Sequence, residues 1–158
     1  MDPVVRRATI NDISDLARLQ QLARLGIEDV RGGALRLAEC PVVADWTPLI
    51  NEPHTVVVVG TLDDSVLSYA VMHLSASNNR GIITHAFVEI DARELGLGDT
   101  MVEHFIAAVR TAGLGGIEAV ALPGDRETKN MFERAGLTAR KLTVYKALSS
   151  SAPEINCS

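Results

Sequence analysis

Cysteine is scarce in this chain: Cys40 and Cys157 are the only two among 158 residues, and they show no C-x-x-C spacing. That is too few for a disulfide framework or a four-cysteine metal site, so the thiols read as reduced. Long apolar runs are missing as well. Nothing approaches the roughly 18 residues of a membrane span, and the opening "MDPVVRRATIND" lacks the basic-then-apolar pattern of a secretory leader. The expectation is a soluble, cytoplasmic protein with no membrane partner. An excess of positive charge is absent too, since Lys plus Arg number 15 against 20 Asp plus Glu, for a net charge of −5. With no basic block, a nucleic-acid partner is disfavoured. A small anion remains allowed, because backbone N–H groups at a helix N-terminus hold phosphate without a basic surface.

What is present is enough apolar content, 47%, for one folded domain, expected over residues 1–148, with "SSSAPEINCS" at 149–158 reading as a disordered tail. "VVRRAT" at 4–9 alternates as a strand, and Asn11 or Asp12 can cap a helix with Ile13, Leu16, Ala17, Gln20 and Ala23 on one face. "RGGALRLAECP", entered through Gly32 and Gly33, and "DWTPLINEP" read as two short helices. Three strands follow, "TVVVVG", "VLSYAVMHL" and "IITHAFVEI", separated by the turn-rich "TLDDS" and "SASNNRG", as in an antiparallel meander. Met101, Val102, Phe105, Ile106 and Val109 recur at helical spacing up to Gly113. A buried strand is expected at 116–122, a short helix from an Asp125 cap to Gly136, and a last strand over "ARKLTVYKAL" at 139–148 that closes the sheet. The fold class is α/β, one mixed and mostly antiparallel sheet flanked by helices.

Between the third strand and the long helix stands "RELGLGDT", residues 93–100. A P-loop would need G-x-x-x-x-G-K-[ST], and a dinucleotide fingerprint would need a third glycine where Met101 stands; both fail. What remains, R-x-x-G-x-G at Arg93, Gly96 and Gly98, resembles the coenzyme A loop of the GCN5-related N-acetyltransferases. The order of elements over residues 4–148 agrees with that family, and "NMFERAGL" at 130–137 looks like its second signature. The resemblance implies acetyl-coenzyme A as cosubstrate, with no metal. Its pyrophosphate would meet the backbone around Arg93, Glu94, Leu95, Gly96, Leu97, Gly98, Asp99 and Thr100, bare glycines letting N–H groups approach. The strand "HAFVEI" should splay from "IEAVAL", leaving a notch in which the main chain of Val88 and Ile90 pairs with pantetheine like an added strand. Asn130 and Phe132 of the second signature would complete the coenzyme site.

The chain departs from the family pattern in two places. Where a tyrosine often stands to protonate the departing thiolate there is Phe132, and a common asparagine is Asp125. Releasing a thiol of pKa about 8.5 as thiolate at pH 7 costs only about 2 kcal/mol, whereas freeing an alkylamine of pKa about 10.4 costs about 4.6 kcal/mol, so a base matters more than an acid. His85 and Glu89 are the candidate bases. By period two they share a face with Ile83 and Phe87, opposite Thr84, Ala86, Val88 and Ile90, unless a bulge near Val88 shifts the alternation. His73 and Tyr145 read as packed sheet residues, and Trp46 as a core anchor or a pocket wall. His54, His104, Arg24 and Arg36 show no metal-ligand spacing. The resemblance implies direct transfer of an acetyl group to an amine, small or protein-borne, and the chain also shows no obvious nucleophile, homodimerisation being open. The alternative is a non-catalytic acyl-coenzyme A binding or regulatory module.

Overall fold

The structure, a computed structural model, describes residues 2–153. β1 (Val4–Arg7) leads through a single 3-10 turn (Ile10–Asp12) into α1 (Ile13–Ile27), followed by α2 (Gly33–Glu39) and α3 (Thr47–Asn51). Then come β2 (Thr55–Leu62), β3 (Ser65–Ser75) and β4 (Arg80–Val88), a second 3-10 turn (Ile90–Leu95), α4 (Leu97–Thr111), β5 (Gly116–Ala119) and α5 (Arg126–Arg134). The strands form one sheet in the order β1-β2-β3-β4-β5. The first four are antiparallel and β5 joins β4 in parallel. No helix among the described residues is long and apolar enough to cross a membrane.

Four consecutive valines in β2 need burial on both faces of the sheet, and they have it. Val56 and Val58 pack under α4 and α5 with Met101, Phe105 and Phe132, whereas Val57 and Val59 pack under α1 with Leu16, Leu19 and Trp46. The β2–β3 turn is two residues long, with Asp63 and Asp64 both at positive φ, the backbone that lets a tight hairpin follow the strand twist. Asp12 begins α1 as expected, but its carboxylate turns back to accept from the Arg6 guanidinium at 2.7 and 2.9 Å and from the Thr9 N–H at 2.8 Å. Asp125 caps α5, accepting from the Thr128 N–H at 3.3 Å and its hydroxyl at 2.7 Å. Gly113 and Gly136 follow α4 and α5 at φ +72° and +91°, ending each helix as the sequence predicts.

Two expectations for the C-terminal part are corrected. β5 spans four residues instead of seven, and residues 120–122 leave the ladder. Residues 139–148 form no strand: Leu142, Val144 and Leu148 are 84%, 93% and 86% exposed, and Tyr145 lies off the sheet. Alternating residues express a strand preference only where a partner edge and a buried face are available, and this segment meets neither.

Candidate active site

β4 and β5 pair from Arg80 with Gly116 to Ile83 with Ala119 and then separate, while β4 continues to Val88. The gap opens a cleft of about 270 Å³, walled by Ala86 and Val88 on one side and by Val120 and Leu122 on the other. The expected notch is therefore there. Arg93, Gly96 and Gly98 line one end of it; Cys40, Tyr69 and His85 line the other.

A bulge sits at the second end. Val71 faces His85, and the next residue, Met72, faces Ile83, so Thr84 is the extra residue. The bulge reverses the alternation earlier than a bulge near Val88 would. Ile83 joins Ala86 and Val88 in the core under α4, while Phe87 belongs to the core under α1 that contains Tyr69 and Val71. The expected sharing of one face by Ile83 and Phe87 is thus corrected, because one inserted residue inverts the parity of everything before it.

At the loop end, Gly96 has φ +77°, a left-handed conformation that disfavours a side chain, and it is the residue from which α4 starts. No side chain caps that start. Helix geometry leaves the first-turn N–H groups of Leu97, Gly98 and Asp99 without intrahelical acceptors, an arrangement suited to an anion. Gly98 has a different reason to be bare: a Cβ there would stand 2.5 Å from Met131 Sδ, so the glycine lets α5 pack on α4. Asp99 lines the cleft and is bridged to Arg134 at 2.9 Å. The Thr100 hydroxyl donates to the Gly96 carbonyl at 2.9 Å and its N–H bonds the same oxygen at 3.1 Å, so neither is free for a ligand.

Val88 lines the cleft, but its carbonyl accepts from Arg93 Nε at 3.2 Å. Ile90 is not a strand residue. It opens the 3-10 turn and is 75% exposed. Glu94 and Leu95 are exposed on that turn, Leu97 is buried in the core, and Asn130 is exposed on α5; none of the four lines the cleft. Phe132 is buried and lines it.

At the other end, burial together with the positive field of Arg36 holds His85 well below its ordinary value, at about 4. The imidazole is therefore neutral at pH 7. Its Nδ1 lies 3.0 Å from Thr84 Oγ1, and its Nε2 lies 3.7 Å from Cys40 Sγ. Tyr69 is 1% exposed and lines the cleft, and burial pushes its phenol up, so it stays protonated. Trp46 packs edge-on against Tyr69, with ring centroids 5.8 Å apart at 88°, as a core anchor behind the site and not as a wall of it. Arg24 donates to the Cys40 carbonyl at 2.6 Å and Arg36 to the Thr84 carbonyl at 2.7 Å. Among the described residues neither guanidinium has an acidic partner. Glu89 stands apart: it does not line the cleft, and its carboxylate is paired with Arg18, which also reaches Asp15. Sequence reasoning missed Tyr69 altogether and set Cys40 aside; their one signal, a polar atom amid apolar neighbours, does not tell a site from a core.

No family model matches the chain, and no curated protein matches it. Solved structures do. A tetramutant of the BH1408 protein from Bacillus halodurans superimposes with a TM-score of 0.71 at 18% identity, covering 92% of this chain and 99% of that one. An aminoglycoside acetyltransferase from an uncultured soil metagenomic sample gives 0.66 at 14%, covering 93% and 95%. A predicted acetyltransferase from Clostridium acetobutylicum, solved with acetyl-CoA, gives 0.63 at 17%, covering 92% and 96%. The sheet order, the parted strands β4 and β5, and these superpositions agree: this chain has the fold of the GCN5-related N-acetyltransferases.

Proposed function

We propose that this protein transfers an acetyl or other short acyl group from acyl-coenzyme A to an amine. One observation carries the reading: a single cleft runs from the uncapped start of α4, between the parted strands, to a neutral histidine. A coenzyme lying along it would have its pyrophosphate at the N–H groups of Gly98 and Asp99, with Arg93 and Arg134 as the nearby cations. Its pantetheine arm would run beside β4, and the bond between Arg93 and the Val88 carbonyl would give way to the ligand. The thioester then reaches the bulge at Thr84.

His85 is the favoured proton acceptor, because it lines the cleft and is neutral, whereas the Glu89 carboxylate is engaged outside it. The unneutralised Arg24 and Arg36 lower the affinity of that end for an ammonium ion and so favour the free amine, the reactive form. Phe132 offers no proton to the leaving thiolate. The Tyr69 hydroxyl, which burial keeps protonated, also lines the cleft.

A panel of amines with acetyl-coenzyme A, read by free thiol release, tests the reading. Acceptor-dependent release supports it. The absence of an ionisable group at Phe132 favours a second reading, an acyl-coenzyme A sensor, in which the coenzyme raises the melting temperature by mass action and no amine releases thiol.

A further inference from the structure

Two irregularities of the sheet match each other. β5 lies at its edge, paired with β4 and with no strand on its other side among the described residues. Its sequence, "GIEAVAL" at 116–122, nevertheless carries a single charge, at Glu118, and reads as an interior strand. At the edge that composition goes unused. None of the four ladder residues is buried, and Val120, the first to leave the ladder, is 51% exposed. An apolar strand edge without a partner is a template for another strand.

The second irregularity is a strand pattern without an edge. Leu137 is the last of the described residues to join either apolar core, and past it residues 139–148 run outside the sheet. Period two puts Leu142, Val144 and Leu148 on one face of that segment, all three exposed, and Lys141, Thr143 and Tyr145 on the other. Large aliphatic side chains aligned on one face and left in water mark a surface that another chain covers.

We infer that residues 139–148 pair with the free edge of β5 in a second copy of this chain, each copy giving an arm and receiving one in a two-fold, strand-exchanged dimer. Three features single out a second copy as the occupant. Arm and edge are both present in one chain, so reciprocal exchange fills both, as a closed two-fold assembly requires. Reach is sufficient, because the segment extends about 33 Å at roughly 3.3 Å per residue while everything up to Leu137 stays in its own core. Charge agrees as well: the arm bears Arg140, Lys141 and Lys146 and no acid, within a chain of net charge −5, and the edge presents Glu118. With Leu142 and Val144 laid on the same side as Ile117 and Ala119, which pack on the core beneath α4, Lys141 falls on the side of Glu118.

Strand exchange needs no coenzyme, and its test stands apart from that of acyl transfer. Light scattering of the full-length protein over a dilution series should show a dimer that dissociates to monomer. Leu142→Ser combined with Val144→Ser removes the apolar face of the arm at positions 84% and 93% exposed in their own chain, so the monomer should keep its fold by circular dichroism. The dimer dissociation constant should rise by roughly 10²-fold or more. Carbodiimide cross-linking of mixed isotope-light and isotope-heavy parent chains should join Lys141 or Lys146 of one copy to Glu118 of another, read as peptide pairs of mixed isotope. A parent that is monomeric at every soluble concentration, or a dimer that the double variant leaves intact, would overturn the exchange. So would a dimer without mixed-isotope links between the arm and Glu118.

Discussion

At the loop end of the cleft, Arg93, Gly96 and Gly98 belong to one hexapeptide, whereas at the histidine end Cys40 and His85 are 45 residues apart and meet Tyr69 from a third element. The first end is a local solution. A positive φ at Gly96 and an uncapped helix start follow from consecutive residues, whatever the rest of the chain does. The second is a tertiary one, since it needs the bulge at Thr84, the seating of α2 on β4 and the packing of Trp46 behind Tyr69. Phosphate recognition can be carried by main chain, which any short sequence supplies; proton transfer needs side chains converging from several directions.

That difference can be broken at the histidine end first. If His85 accepts the proton, His85→Gln should lower turnover by roughly 10²- to 10⁴-fold, equivalent to about 3 to 5 kcal/mol of barrier, with coenzyme affinity little changed. Steady-state kinetics on a verified acceptor, paired with a coenzyme titration, separate the two quantities. A parallel fall in affinity would mean that the two ends are not independent.

The same histidine should register in stability. Its folded value, about 4, lies below the ordinary 6.5, so between those limits the unfolded chain binds a proton that the native one refuses. Stability therefore rises with pH across that window and is lost as pH falls from 6.5 towards 4, by about 3 kcal/mol at most. Chemical denaturation of the parent and His85→Gln at both ends of the window should show the parent losing more.

The reading of Gly98 is sharpened by Gly98→Ala. A Cβ meeting Met131 Sδ should cost about 1 to 3 kcal/mol of stability even without coenzyme, and less in a Met131→Ala background. Equal costs in both backgrounds would mean that packing is not the reason for the glycine. Smaller still is the effect expected of Glu89→Gln. Its pair with Arg18 is partly exposed, so stability should change by less than about 1 kcal/mol and turnover should stay close to that of the parent. A hundredfold loss of turnover would return the role of base to Glu89.

Much of the fold was legible because its signals are local and redundant. The valine run of β2, the Asp125 cap and the glycines after α4 and α5 each specify one element by themselves. Residues 139–148 misled for the same reason: alternation in "LTVYKAL" is a local preference, and a strand also needs an edge to pair with. In the lining of the cleft, Arg93, Gly96 and Gly98 were legible from their spacing, and Gly98 is bare where a Cβ would meet Met131. Ile90 and Glu89 were misplaced because the strand ends at Val88, two residues sooner than its apolar pattern does. Cys40 and Tyr69 had no spacing to betray them, since what joins them to His85 is a bulge that no residue type marks.

The central claim is that one ligand spans both ends, and hydrogen–deuterium exchange of the full chain with and without acetyl-coenzyme A tests it most directly. The account predicts slowed exchange in two separate stretches at once, the amides of residues 94–99 at the start of α4 and those of residues 84–88 along β4. Protection confined to the helix start, with β4 unchanged at saturating coenzyme, would contradict it, because the cleft would then hold a phosphate without delivering a thioester to His85.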